Sequence, residues 1–310
     1  MDILVGCTGF VGRNLAQQHA FDRCLHSVDV ETAYGSHPDL LVYAGVRSEM
    51  FLANRDPQAD LAHIQEAIHN IQEIGPKECI LISTVAVYPD TVGADERTEL
   101  SPKDLTAYGA NRLVLEKWVE ENIPNSMIVH LPAIYGDYLK KNFLYDYIHV
   151  IPGLLTESKL QELSPKAPEL RDFYLPRGDG FYKCRELTEE ERGHLKTVFR
   201  ALGFSALNFT DSRSVYQFYW LKHLWEHLEI ARSNHLRRIN LVTPPLSVRQ
   251  VFKALSGRDF ENQLQKAPYY YDLHTRYSSL FGGPDGYLMT ETQCLEDIRQ
   301  FVIQEGGDCL

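Results

Sequence analysis

The sequence predicts an α/β protein: a doubly wound parallel sheet with a smaller lobe drawn mostly from the C-terminal half. Three observations carry this. Apolar runs alternate with helix-like stretches over the first 135 residues. Those runs are continuously apolar rather than alternating, as in strands covered on both faces. A glycine-rich turn, Gly6-Cys7-Thr8-Gly9-Phe10-Val11-Gly12, follows the first run directly.

Taken in order, Ile3 to Gly6 reads as a strand, Phe10 to His19 as a helix and Cys24 to Val30 as a short strand. Asp39 to Ala44 is a third strand. Over 58–74, Leu61, Ile64, Ile68 and Ile71 recur at steps of three and four, one helix face, and Gly75-Pro76 closes it. Cys79 to Thr84 is the next strand. A helix over 105–122 is ended by Pro124, and Met127 to Leu131 is a further strand. Repeated βα units imply parallel strands with right-handed crossovers.

The alternation fades after Gly136. Residues 137–187 show no clean period and read as a lobe. A helix over Thr188–Leu202, a strand near Ala206–Phe209, a long helix over Val215–Ala231 and a strand at Ile239–Val242 read as a return to the sheet. Residues 244–290 look lobe-like again, and Glu291 to Glu305 reads as a helix. The expected division is therefore a sheet domain over 1–136 completed by about 188–243, a lobe over 137–187 and 244–290, and a C-terminal helix and tail over 291–310.

Composition is that of a globular protein: 310 residues, 44% hydrophobic and 24% charged. With Lys plus Arg 31 against Asp plus Glu 42, the net charge of −11 weighs against nucleic acid or an anionic membrane as partner. No stretch approaches the ~20 apolar residues of a membrane span, and the N-terminus lacks the basic region of a signal peptide. Six scattered cysteines without a CxxC pair point to free thiols in a reducing cytoplasm.

A GxxGxxG between strand and helix suits a dinucleotide pyrophosphate. Glycine permits the sharp turn and lets backbone N–H groups approach the phosphates at the helix N-terminus. Gly6, Thr8, Gly9, Phe10, Val11 and Gly12 are thus candidate contacts for NAD or NADP in a Rossmann-type domain. Asp29, 17 residues after Gly12, is placed either to bind the adenosine ribose, to touch the adenine, or to serve as an ordinary loop carboxylate. Arg13 is either a partner for a ribose 2′-phosphate or a solvated helix residue, so NAD and NADP stay open.

Two further motifs carry chemistry: Ser83-Thr84-Val85-Ala86-Val87-Tyr88 at a strand end, and Tyr108-Gly109-Ala110-Asn111-Arg112 within a helix. Tyr108 and Arg112, four apart, share a helix face. A hydroxyl, a phenol and a cation together form a proton-transfer site for carbonyl–alcohol chemistry, with the cation expected to lower the phenol pKa.

On GCTGFVG, Ala44-Gly45, STVAVY, YGANR and LPAIYG, the chain resembles the extended short-chain dehydrogenase/reductase family, of the nucleotide-sugar epimerase/dehydratase type. The resemblance implies Thr84, Tyr108 and Arg112 as catalytic residues, Arg112 standing where the family has lysine. It implies Ala44, Gly45, Val46, Ser83, Tyr108, Arg112, Pro132 and Ile134 as further cofactor contacts. Thr84, Asn142 and Arg213 would be substrate contacts, Arg213 holding a sugar-nucleotide diphosphate. It also implies a homodimer paired through helices 58–74 and 105–122, and a role in surface-polysaccharide biosynthesis. The family's dehydratases carry an Asp-Glu pair after the threonine. Val85 and Ala86 stand there, so a 4,6-dehydration is disfavoured, and 4-epimerisation or a simple oxidation or reduction fits better. A non-catalytic NAD(P)-binding regulator on the same fold is the alternative. His223-Leu224-Trp225-Glu226-His227 matches an HxxEH zinc-protease pattern, but it reads as a helix face, and no metal is expected. Tyr269-Tyr270-Tyr271 reads as packing or a pocket wall.

Overall fold

The computed structural model describes residues 1–309. The chain runs β1 (Asp2–Val5), α1 (Phe10–Gln18), β2 (Arg23–Leu25), β3 (Leu40–Tyr43), α2 (Met50–Arg55), α3 (Pro57–Ile74), β4 (Cys79–Thr84), α4 (Ala107–Asn122), β5 (Ser126–Leu131) and β6 (Ala133–Tyr135). Next come α5 (Phe143–His149), β7 (Leu154–Thr156), α6 (Glu157–Leu163), α7 (Leu170–Phe173), β8 (Tyr174–Pro176), β9 (Phe181–Cys184) and α8 (Glu189–Ala201). Last are β10 (Val215–Trp220), α9 (Leu224–Ser233), β11 (Arg238–Asn240), β12 (Pro245–Ser247), α10 (Val248–Ser256) and α11 (Glu291–Gln304).

The chain folds as two compact units. The first comprises residues 1–139, 215–246 and 270–298, the second residues 140–214, 247–269 and 299–310. The first unit is built on a six-stranded sheet in the order β11-β5-β4-β3-β1-β2, with every pairing parallel. Successive residues of these strands feed two cores. Ile3, Val5, Leu41 and Leu81 pack with Ile64 and Ile71 of α3 and Leu115 and Val119 of α4. Leu4, Val42, Ile80 and Val129 pack with Leu15 of α1 and Leu224 and Leu228 of α9. Helices thus cover both faces, which is why the strands read as unbroken apolar runs. This is a Rossmann-type doubly wound α/β fold. The strand order reverses between β1 and β3, so the crevice at a switch point lies beyond their carboxyl ends.

Local chemistry sets the helix ends. Asp56 caps α3 by accepting from the Ala59 N–H, Pro57 opens it, and Gly75 closes it in the left-handed region. On α3, Ile64 and Ile71 are fully buried, while Leu61 and Ile68 lie partly buried against the same core.

The second unit contains the antiparallel sheet β7-β9-β8. Its core joins Leu155, Leu160, Leu170 and Tyr174 to Leu195 and Phe199 of α8. Residues 188–214 were expected to complete the parallel sheet; instead α8 gives its apolar face to the lobe. Residues 270–290, expected in the lobe, belong to the first unit. There the Gln217 side chain brackets Leu273 with two backbone hydrogen bonds, and the Leu288 N–H donates to the Val242 carbonyl.

Three expected elements are corrected. The helix over Val215–Ala231 is strand β10, a short 3-10 turn and then α9. The aromatic and β-branched run Val215-Tyr216-Gln217-Phe218-Tyr219-Trp220 suits a pleated, buried surface and pairs with β6. The strand at Ala206–Phe209 is a 3-10 turn closed by a reciprocal cap between Ser205 and Asn208. The second strand stops at Leu25, because the Asp29 carboxylate accepts from the His26 N–H and turns the chain. Among the described residues no helix is long and apolar enough to cross a membrane.

Candidate active site

The ends of β1, β3 and β4 bring the first group of expected residues together. Gly6 has φ +92°, and a Cβ there would lie 2.4 Å from the Ala44 carbonyl oxygen. A Cβ on Gly12 would lie 2.1 Å from the Gly6 carbonyl oxygen, so only glycine lets α1 start this close to β1. Gly9 is the N-cap of α1; it supplies no side-chain cap, and the first turn holds no acidic residue. The positive end of α1 is therefore left to other negative charge. Thr8, Phe10 and Val11 lie on the same turn, and Ala44, Gly45 and Val46 follow β3 beside Gly6. This glycine cradle and uncapped helix start fit a dinucleotide pyrophosphate. Pro132 and Ile134 lie at the junction of β5 with β6. The Arg13 guanidinium sits over the Tyr138 ring at 5.1 Å.

Asp29 has a local task. Its two oxygens face the His26 backbone N–H at 2.7 Å and the His26 ring at 3.4 Å.

Thr84 ends β4, and its Oγ1 accepts from the Ala86 N–H at 3.2 Å. Tyr108 sits one residue into α4, held by the Asn54 side chain, which accepts from its backbone N–H at 2.9 Å. Gly109 is what allows this. A Cβ there would lie 2.1 Å from the Ala86 carbonyl oxygen, so α4 can rest directly on the turn after β4. The glycine inside YGANR was the available signal.

Arg112 stacks on Tyr108, its guanidinium carbon 3.9 Å from the ring centroid. The same guanidinium forms a buried ion pair with Asp60 of α3 and donates to the Arg47 carbonyl. Asn111 also donates to Asp60, at 2.8 Å. Arg112 therefore ties α4 to α3 and to the loop after β3, with its charge already matched. The phenol expected to be lowered by this cation is instead raised. Burial raises the Tyr108 pKa most, Arg112 and the Thr84 side chain pull it down, and Asp60 adds to the rise.

Ser83, expected to face the cofactor, donates into the interior to Glu116. Glu116 and His130 are fully buried, 3.1 Å apart. The other His130 ring nitrogen lies 2.8 Å from Asn240 Oδ1, which also accepts from the Tyr88 hydroxyl at 3.0 Å. No sequence motif marks this network, since its members come from β4, α4, β5 and β11.

The other two expected substrate residues, Asn142 and Arg213, lie in the second unit. Asn142 caps α5, accepting from the Tyr145 N–H at 3.0 Å. The Arg213 fork is turned onto Asp211, at 3.0 and 2.7 Å, and onto the Leu264 carbonyl. These bonds anchor the loop around Arg213. In the HxxEH segment, His223 precedes α9 and pairs with Asp297 at 3.0 Å, while His227 meets the Tyr219 hydroxyl at 2.9 Å. Burial, then His223, pushes the His227 pKa down to about 4.

No family model matches the chain, and no curated protein matches it by sequence. Solved structures do match. A dTDP-4-dehydrorhamnose reductase from Bacillus anthracis, in complex with NADP, superposes with TM-score 0.62 at 14% identity, over 98% of this chain and 97% of that one. A UDP-glucose 4-epimerase from Thermotoga maritima, with UDP-glucose, gives 0.60 at 14%, over 98% of each chain. An NAD-dependent NDP-hexosamine 5,6-dehydratase of tunicamycin biosynthesis gives 0.61 at 14%, over 97% and 96%. Across almost its whole length, then, this chain has the Rossmann-type fold on which those nucleotide-sugar enzymes are built.

Proposed function

We propose that the protein is an NAD(P)-dependent oxidoreductase or 4-epimerase acting on a nucleotide-activated sugar. One observation carries the reading. A glycine cradle with an uncapped helix start and a threonine–tyrosine pair occupy the same carboxyl edge of one parallel sheet. The backbone of Gly6 to Gly12 would hold the pyrophosphate, with Ala44 to Val46 beside it. Hydride exchange is the chemistry that the nicotinamide supplies when bound. Tyr108 Oη exchanges the proton of the sugar hydroxyl or carbonyl oxygen, and Thr84 Oγ1 orients that oxygen. Arg112 is a positioning residue: it fixes the Tyr108 ring and opposes the upward pull of burial on the phenol. Val85 and Ala86 cannot move a proton, which keeps dehydration by an acidic pair outside the proposal.

The Arg112–Asp60 pair favours a second reading, a dinucleotide-binding regulator without turnover. A cation already matched by a carboxylate does less to lower a phenol pKa. Titration with NAD and NADP, followed by assay against a panel of dTDP- and UDP-hexoses and their 4-keto forms, separates the two. Turnover of any sugar nucleotide supports the enzyme; tight cofactor binding with none supports the regulator. Absence of cofactor binding overturns both.

A further inference from the structure

We propose that the second unit holds a binding site for a phosphate-class anion, formed by Arg192 and Lys196 of α8 around the ring of His149 at the end of α5. A cavity of about 170 Å³ opens there, lined among others by His149, Gly153, Cys184 and Arg192. On that measure one water needs only ~10–15 Å³, so the space admits a phosphate group.

The electrostatics single this place out. In a chain of net charge −11, several cations of this unit are committed: Arg185 to Glu191, Lys159 to Glu162, Arg177 to Asp179, Arg200 to Asp308. Arg192 and Lys196, one helical turn apart on α8, form no ion pair within 4.0 Å among the described residues, whereas Arg185 and Arg200 beside them do. His149 Nδ1 is buried with no hydrogen-bond partner. Burial, then Lys196, then Arg192, push the ring down to about pKa 4, so both cations act on it. Of the other charged groups here, Arg185 is paired, Glu186 is exposed at the cavity wall, Asp146 lies one turn back on α5, and Lys196 also feels Arg200, Asp308 and Glu189.

The backbone supplies a second sign. Val150 has φ +65° and ψ −43°, and the Ile151 N–H reaches back to the His149 carbonyl at 2.6 Å. A β-branched residue held in that region is strained, and such strain collects at ligand sites. An anion between Arg192 and Lys196 would satisfy both and give the His149 ring a reason to take a second proton.

The test is calorimetry of the full-length protein with inorganic phosphate and, separately, with glucose 1-phosphate, alongside NMR titration of the His149 ring. Expected are saturable binding, an upward move of the His149 titration from about 4, and affinity reduced on the order of tenfold or more in R192Q/K196Q. R192K should keep most of the affinity, which guards against a folding artefact. Tighter binding of the sugar phosphate would place the group on an organic skeleton; equal binding would make it the free anion. No saturable binding of either, an unmoved His149 titration, or unchanged affinity in R192Q/K196Q overturns the site.

Discussion

At the scale of single residues, Asp60 sets how far Arg112 can act on Tyr108. Asp60 raises the phenol pKa while Arg112 lowers it. Asp60→Asn keeps a polar partner and removes the negative charge. The pH at which activity appears should then move down, whereas Arg112→Ala should move it up; pH–rate profiles of both variants check the signs. The Glu116–His130 pair makes a stability prediction. Both groups are fully buried, so Glu116→Ala leaves the Ser83 hydroxyl and His130 Nε2 without their partner and should cost about 1–3 kcal/mol for each, read as a lower urea midpoint. Asp146 bears on pH. Burial raises its pKa to about 7 from 3.8, so its folded form holds a proton that the unfolded form has lost. Its contribution is full below 3.8 and is lost as pH rises through about 7. Asp146→Asn should therefore gain stability over wild type at pH 8 and little at pH 4. Equal gains at both would contradict the assignment.

At the scale of elements, glycine contacts decide the geometry. Gly12→Ala and Gly109→Ala each push a Cβ to 2.1 Å from a carbonyl oxygen. The first should separate α1 from β1 and weaken NAD(P) binding; the second should lift Tyr108 from Thr84 and lower turnover with cofactor affinity kept. The β and α units of residues 1–135 were legible because burial on both faces leaves continuous apolar strands, and caps such as Asp56 and Gly75 punctuate the helices. Val215–Trp220 reads as helix in the sequence because a short apolar run suits helix and strand alike, and tertiary pairing with β6 decides it. The glycine loop and Thr84–Tyr108 were visible as motifs. The Asp60 partner of Arg112, the Asp211 partner of Arg213 and the Ser83–Glu116–His130 network were not, since each depends on which side chain a neighbouring segment brings.

Across the whole molecule, Tyr108 is proposed to exchange the substrate proton beside a dinucleotide. Pairing through α3 and α4 is a separate proposal. Light scattering should give twice 35.5 kDa, and a mass that stays at one chain over a wide concentration range would contradict the homodimer. The claim about Tyr108 is tested most directly by steady-state turnover of a sugar nucleotide by Tyr108→Phe beside wild type, with cofactor affinity measured on the same samples. The account predicts turnover lower by roughly 10²–10⁴-fold, the usual worth of a positioned proton donor, with NAD(P) affinity unchanged. Full activity with an unshifted pH profile would contradict it.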